Sequence, residues 1–250
     1  MKVRQVQSAI FSVMDAENQA PGAKPYIEKL KAEFADVLFD QVYAKDVDPT
    51  LRGPHGIAYI KLKDGAVPKK EVPFRMLGIR EEALKNKVDK SLANGCIRPC
   101  PATEWGARAF VVPKPGNPTT SETPIAGLGP WCPIYGLKPT ESADEKYWRL
   151  VIDYRYLNTQ TLNDSFPLPV IEDLITGQAL NNIWSLFDLQ DGFHQMHLHP
   201  DCWPMTAFVT PWGVYMWTVL PMGVKNRPAM FQKMIQTCIS DLPFAKVYVD

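Results

Sequence analysis

The spacing of apolar residues along the chain predicts several amphipathic helices. These helices are 25–39, 79–93, a segment from Val170 to about Gly177, and a segment that begins after Asn226. In the second helix, Leu84, Val88 and Leu92 share one face, and Asn94-Gly95 supplies a usual C-terminal signal. In the last helix, Asn226 can act as the cap. Its buried stripe would comprise Phe231, Met234, Ile235 and Cys238.

Short apolar runs between the helices predict the strands. The predicted strands are Ile57–Leu62, Ala107–Val112, Arg149–Tyr154, Ile183–Leu189, Thr206–Val209, Val214–Val219 and Ala245–Val249. The fifth and sixth flank Pro211-Trp212-Gly213 and would form a hairpin. Residues 113–140 contain seven Pro and four Gly, which predicts a long loop. This order of elements predicts an α+β fold with a largely antiparallel sheet.

Composition and charge exclude some classes of function. The chain has 250 residues with 27 basic and 27 acidic side chains, so a uniformly basic coat for nucleic acid is excluded. Residues 61–160 hold 16 basic and 11 acidic side chains, whereas residues 161–250 hold 4 and 8. Five irregularly spaced cysteines and the lack of an apolar signal core near Met1 predict a reducing, intracellular location. The uncharged segment 202–224 is interrupted by proline and glycine, so we expect no membrane partner.

Two aspartates close apolar runs that are predicted to be strands. Asp188 lies in the run 183–189, and Asp250 ends the run 246–250. If the two strands are neighbours, the carboxylates converge and repel each other unless a divalent cation lies between them. Oxygen ligands favour Mg²⁺ or Mn²⁺. The alternative from local pattern alone is that each acid is a strand cap or a surface residue.

A series of motifs in a fixed order resembles the motifs of reverse transcriptases. The sequence YWRLVIDYRYLN (147–158) resembles a fingers motif, and FDLQDGFHQ (187–195) resembles the motif that carries the first catalytic aspartate. TAF (206–208), LPMG (220–223), NRPAMFQ (226–232) and YVD (248–250) follow in the family's order. Upstream, GCIRP (95–99) and VPK (112–114) resemble the lead-in of gypsy-type LTR retrotransposons. The resemblance covers about residues 72–250.

This resemblance implies a right-hand polymerase fold with fingers and palm, in which an antiparallel palm sheet packs on helices and no thumb is present. The implied divisions are an N-terminal flanking region (1–71), fingers (72–166, including the loop 113–146, and 196–226) and palm (167–195 and 227–250). The second aspartate of the Tyr-x-Asp-Asp box does not follow Asp250. We therefore expect either a fragment of a longer polyprotein or a degenerate copy.

The resemblance also implies a catalytic centre that holds two Mg²⁺ ions, with Mn²⁺ as an alternative. Asp188 and Asp250 would be the catalytic metal ligands, and Leu189 would offer its backbone carbonyl. Two metal ions can stabilise both the attacking and the leaving oxygen of a nucleotidyl transfer.

Further residues match the family's substrate-binding positions. Lys114 and Arg149 would bind the triphosphate, and Phe193 would exclude a ribose 2′-hydroxyl. The implied nucleotide site also includes Gln190, Asp191, Gly192 and Met222, and the implied template and primer contacts are Arg155, Gly223 and Tyr248. Met222 stands where relatives usually carry Gln or Phe, and Arg227 stands where they carry a small residue.

The predicted function is therefore RNA-directed DNA synthesis by a retrotransposon polymerase domain. Its expected partners are an RNA or DNA template with a primer, deoxynucleotides (dNTPs), and other polyprotein modules, namely protease, ribonuclease H and integrase. Its expected location is a cytoplasmic particle or the nucleus. One alternative is an inactive remnant that binds nucleic acid through the basic region 61–160. Another is a metal-dependent phosphohydrolase on an unrelated fold.

Overall fold

The computed structural model describes residues 56–100, 102–114, 143–164, 166–176, 189 and 191–248, together with Lys29, Ala32 and Glu33. The last three are helical and belong to the predicted helix 25–39, whose other residues lie outside the described part of the chain. The elements are β1 (Ile57–Ala58), α1 (Ile79–Ala93), β2 (Ile97–Pro99), β3 (Ala107–Pro113), β4 (Trp148–Ile152), α2 (Arg155–Gln160), α3 (Ile171–Thr176), β5 (His197–Leu198), β6 (Phe208–Thr210), β7 (Gly213–Trp217) and α4 (Arg227–Cys238).

A five-stranded sheet in the order β2-β7-β6-β3-β4 forms the centre of the described structure. Three of its four strand pairings are antiparallel, including the predicted hairpin of β6 and β7. The fourth pairing, between β3 and β6, is parallel. The sheet is therefore largely antiparallel, as the order of elements predicted, with one parallel step that brings the β3–β4 hairpin beside the β6–β7 hairpin.

The β3–β4 hairpin has one buried and one exposed face because side chains alternate along each strand. Ala109 pairs with Ile152, and both are buried. Val112 pairs with Arg149 on the opposite face, where both side chains are exposed. Helix α1 packs against β2, β3 and β4. Its core-facing residues are Ala83, Leu84 and Val88.

Residues 57–62, which precede the part of the chain covered by the motif resemblance, are part of the same core. Strand β1 pairs in parallel with β5, and Ala58 and Ile60 are each 1% exposed. Beyond β1 the predicted strand 57–62 continues only as a bridge from Leu62 to Thr161. These residues do not wrap loosely around the domain, because they supply buried side chains to it.

Two further predictions of secondary structure differ from the structure in more than their end residues. The predicted strand 245–249 is not a strand over 245–248, because a strand needs a ladder partner and residues 245–248 pair with none of the described strands. Asn226 precedes α4 but does not cap it through its side chain. Its amide instead donates to the carbonyl of Leu162 at 2.7 Å, since a buried amide needs a partner of its own.

The predicted strand 183–189 and the loop 115–142 lie outside the described residues, apart from Leu189. The longest described helix is α1, with 15 residues. None of the described helices combines the length and the apolar character that crossing a membrane requires.

Candidate active site

Most of the predicted site residues are described by the structure. They are Lys114, Arg149, Arg155, Leu189, Asp191, Gly192, Phe193, Met222, Gly223 and Tyr248. Asp188, Gln190 and Asp250 lie outside the described residues. The geometry of the site is therefore built from the residues that flank these three.

A tight turn follows Leu189 and positions Phe193. Asp191 has a left-handed backbone (φ 45°), which Asp tolerates better than most residues, and it starts a 3₁₀ turn over Gly192–Gln195. Gly192 donates its N–H to the carbonyl of Leu189 at 3.1 Å. A Cβ at position 192 would lie 2.8 Å from Cζ of Phe231 and 3.1 Å from Cβ of Leu189. Only glycine lets this turn approach α4 so closely.

The ring of Phe193 is held by two side chains of α4. Its centroid lies 4.6 Å from that of Phe231, with the planes inclined by 38°. The guanidinium carbon of Arg227 lies 3.7 Å from the same ring centroid. Phe193 is thus half-buried between Phe231 and Arg227. The motif that contains Phe193 does not predict either of these contacts.

His194 packs on the other side of the turn. Its imidazole stacks on the indole of Trp217, with centroids 5.4 Å apart and planes inclined by 24°. Its Nε2 is buried and has no hydrogen-bond partner among the described residues. Burial lowers the pKa of His194, which Asp191 partly opposes and Arg227 reinforces.

The segment Met222–Lys225 is tied to helix α2 by one side chain. Asn158 donates its amide N–H to the carbonyl of Gly223 at 2.8 Å and accepts the N–H of Lys225 at 2.9 Å. Gly223 has a φ of 89°, a conformation that favours glycine. Met222, at the start of this segment, is 45% exposed. The fingers motif 147–158 and the motif 220–223 therefore meet at Asn158.

Helix α4 contacts the segments that flank both predicted catalytic aspartates. Phe231 contacts the turn that follows Asp188, at Gly192 and Phe193. The next residue, Gln232, is 1% exposed and donates to the carbonyl of Val247 at 3.2 Å, three residues before Asp250. Two segments about 60 residues apart in sequence are thus attached to adjacent residues of one helix.

Lys114 and Arg149 lie on the same face of the β3–β4 hairpin. Arg149 pairs with Val112. Lys114 follows Val112 by two residues, so its side chain is expected on the same face of the hairpin. The N–H of Lys114 donates to the carbonyl of Tyr147 at 2.8 Å, which continues the ladder past the last paired residues. Such diagonal neighbours are about 7–8 Å apart in a sheet. Lys114 and Arg149 are therefore near neighbours on one face of the hairpin.

Arg155 is engaged by a neighbouring carboxylate. Its Nε and one Nη donate to the two carboxylate oxygens of Asp153 at 2.8 and 2.7 Å. The Arg155 guanidinium lowers the pKa of Asp153, although burial of the carboxyl opposes it. A guanidinium has five N–H donors. The side chain of Arg155 is 91% exposed and keeps donors for a further acceptor.

The described residues alone form no cluster of three or more His, Cys, Asp or Glu side chains that could hold a metal ion. Of the predicted ligand atoms, the structure describes the carbonyl oxygen of Leu189. From the described residues it accepts one hydrogen bond, that of Gly192, and a carbonyl oxygen has two lone pairs. As far as the described residues go, the second lone pair is available to a cation.

Sequence reasoning missed the roles of Asn158, Arg227 and Gln232 in this arrangement. Asn158 and Gln232 stand within motifs that resemble those of reverse transcriptases, and Arg227 stands where the family carries a small residue. The partner of Asn158 is 65 residues away in the chain, so no local pattern could indicate the contact.

Comparison with known proteins connects this geometry with a family. A family model described as "Reverse transcriptase (RNA-dependent DNA polymerase)" matches residues 137–250. The Pol polyprotein of transposon 412 from Drosophila melanogaster is 27% identical over 226 residues, which cover 90% of this chain and 16% of that protein. The Pol polyprotein of transposon opus from the same organism is 30% identical over 158 residues, covering 63% of this chain and 13% of that protein.

Among solved structures, a foamy virus protease-reverse transcriptase in complex with an RNA/DNA hybrid has a TM-score of 0.60 at 19% sequence identity. The similarity covers 100% of this chain and 28% of that chain. The predicted α+β fold with polymerase fingers and palm is confirmed by this likeness. A phosphohydrolase on an unrelated fold does not fit it. The chain spans less than a third of the length of each of these three proteins.

Proposed function

Residues 137–250 belong to the reverse transcriptase family, of the kind found in gypsy-type retrotransposons, and on this premise we propose that the chain copies RNA into DNA. In this function it adds dNTPs to the 3′-hydroxyl of a primer on an RNA or DNA template. The observation that best supports the proposal is the arrangement around α4. Residues 231 and 232 contact the segments that flank Asp188 and Asp250, and Arg227 contacts Phe193.

Membership of this family implies dependence on a divalent metal. We assign two Mg²⁺ ions, with Mn²⁺ as an alternative, to the carboxylates of Asp188 and Asp250 and the carbonyl of Leu189. All three donors are oxygen atoms, which suit these hard cations. When bound, the ions would activate the primer hydroxyl and neutralise charge on the leaving pyrophosphate. Attachment of both flanking segments to α4 supports the convergence of the two aspartates.

The triphosphate would be held by Lys114 and Arg149. Their shared face on the β3–β4 hairpin supports this role, because Arg can bind phosphate oxygens in a bidentate manner and Lys acts as a point charge. Asp191 and Gly192 would shape the floor of the nucleotide site, together with Gln190 and Met222. Phe193 would exclude a 2′-hydroxyl by steric overlap, which would favour deoxynucleotides.

The template and primer would contact Arg155, Gly223 and Tyr248. Arg155 is exposed and retains free donors beside its bond to Asp153, and Tyr248 is 46% exposed. Protease, ribonuclease H and integrase modules are proposed as polyprotein partners, since the relatives are named as Pol polyproteins and this chain spans only a part of each.

Primer extension on an RNA template with Mg²⁺ tests the proposal. We expect Asp188→Ala, or removal of Mg²⁺ with a chelator, to abolish extension, while template affinity stays nearly unchanged. Asp201→Ala is the matched control, because its carboxylate is 73% exposed and lies beside His199 outside the site. Extension by this control should equal that of the wild type.

The assay is run on the chain alone and, where the source gene continues, on the longer natural protein. Equal extension by wild type and Asp188→Ala would contradict the assignment of the catalytic aspartate. Salt-sensitive template binding without extension in either protein would replace the proposal with the alternative of a nucleic-acid-binding remnant.

A further inference from the structure

Arg227 is a half-buried cation at the start of α4, and it contacts an aromatic ring. Its Nη1 is buried and has no hydrogen-bond partner among the described residues, and no described carboxylate lies within ion-pair distance of it. Burial lowers the pKa of the guanidinium. A desolvated charge is costly unless a neighbouring group compensates for it. Within the described part of the chain, the contact that stabilises Arg227 is therefore not an ion pair.

The ring of Phe193 supplies such a contact. The Arg227 guanidinium carbon lies 3.7 Å from the ring centroid, closer than the other cations that lie over aromatic rings in the described structure, which are at 4.8 to 5.1 Å. Cation–π attraction strengthens when both groups are shielded from water. Arg227 and Phe231 are four residues apart on α4, so they lie on one face of the helix and contact the same ring.

We propose that Arg227 is a positioning residue, which holds the ring of Phe193 in place and thereby sharpens discrimination against ribonucleotides. The inference rests on the proposed function, in which Phe193 excludes the 2′-hydroxyl. Steric exclusion depends on how far the ring can yield to an added oxygen. A ring in contact with both Arg227 and Phe231 has less freedom about χ1 and χ2 than a ring that contacts Phe231 alone.

The measurement is the ratio of kcat/KM for a dNTP to kcat/KM for the matching ribonucleotide in primer extension. We expect Arg227→Ala to lower this ratio about fivefold or more, mainly through a lower KM for the ribonucleotide. Arg227→Lys should retain part of the discrimination, because an ammonium can lie over the ring but cannot stack on it as a plane. Phe193→Ala should lower the ratio further.

A double variant and a control separate positioning from other effects. In the Phe193→Ala background, Arg227→Ala should change the ratio no further, because its target ring is gone. Arg98→Ala is the matched control, since it removes a guanidinium 5.0 Å from the ring of Trp203, away from the proposed site. A primer ending in a dideoxynucleotide allows the binding part of this discrimination to be measured separately, as the ratio of the equilibrium Kd values for the two nucleotides without turnover. Circular dichroism confirms that each variant is folded.

The outcomes distinguish this inference from the proposed function. An unchanged ratio in Arg227→Ala, together with a lowered ratio in Phe193→Ala, would overturn the role of Arg227 and leave the polymerase intact. A further loss in the double variant, or loss of dNTP incorporation in Arg227→Ala, would overturn it as well, because Arg227 would then act independently of the ring. Lack of extension by the wild type would overturn both proposals.

Discussion

The folded structure disfavours the protonated form of His194. Its imidazole lies against Trp217 with a buried Nε2, and burial lowers its pKa below the ordinary 6.5 more than the nearby carboxylate of Asp191 raises it. The neutral form is therefore the one that the folded chain accommodates. Well above pH 6.5 the imidazole is neutral in both the folded and the unfolded states. As the pH falls below 6.5, the unfolded chain binds a proton that the folded chain resists.

We therefore expect the free energy of unfolding to fall as the pH is lowered from 7.5 towards 5, with part of the loss due to His194. His194→Phe keeps an aromatic ring on Trp217 but removes the titrating group. The difference in the free energy of unfolding between the two pH values should be smaller in this variant, as measured by urea denaturation. The same difference in both proteins would show that His194 makes no contribution.

At the level of single residues, a motif predicts which residues belong to a site better than it predicts which side chains surround them. Phe193 and Gly192 were assigned to the nucleotide site from a motif, and the structure shows why the glycine is needed: Phe231 occupies the place of a Cβ. The contact of Arg227 with Phe193 could not be predicted, because it joins residues 34 apart through packing of α4 on a turn.

At the level of elements, Asn158 joins helix α2 to the segment 222–225. Its carboxamide forms two hydrogen bonds with backbone groups of Gly223 and Lys225, which have no regular secondary structure to satisfy them. Both residues are exposed, so these bonds position the segment and do not satisfy buried groups. The side chain therefore fixes the position of Met222, which belongs to the proposed nucleotide site.

Asn158→Ala should lower the free energy of unfolding by about 1 kcal/mol, because two exposed backbone groups exchange a side-chain partner for water. We also expect a higher KM for dNTPs, since Met222 and Gly223 are no longer held. Thr159→Ala is the control: it is the next residue of α2, and its hydroxyl donates only within the helix, to Tyr156. If the KM rises equally in both variants, the effect comes from α2 itself and not from the Asn158 contacts.

Elements with local end signals were predicted best. The helix 79–93 was predicted with its bounds as the structure has them, because its apolar stripe and the Asn94-Gly95 ending are local, and Gly95 adopts a φ of 71°. The strand 245–249 was predicted from an apolar run alone, and over 245–248 it is wrong. A strand depends on a distant partner, which an apolar run does not specify.

At the level of the whole molecule, residues that precede the motifs pack in the same core as the residues of the motifs. The resemblance starts at about residue 72, but β1 pairs with β5, and Lys61 accepts the N–H of Leu162 at 2.9 Å. Residues 57–62 thus join two regions of the chain that are 100 or more residues away. The motifs of this family consist of residues that the proposed chemistry requires. Residues 57–62 contribute to the core by packing, and many apolar sequences can do so, so no motif marks them.

Ile60→Ala tests whether this segment is part of the cooperative unit. The side chain of Ile60 is 1% exposed, so its truncation leaves a cavity in the core, whereas the backbone hydrogen bond from its N–H to Sγ of Cys202 is kept. We expect the free energy of unfolding to fall by about 2–5 kcal/mol in urea denaturation, as a single transition. Tyr59→Ala is the control on the neighbouring position, where the side chain is 47% exposed, and it should cost much less. Equal, small costs for both variants would mean that the side chains of residues 57–62 pack on the domain without stabilising it.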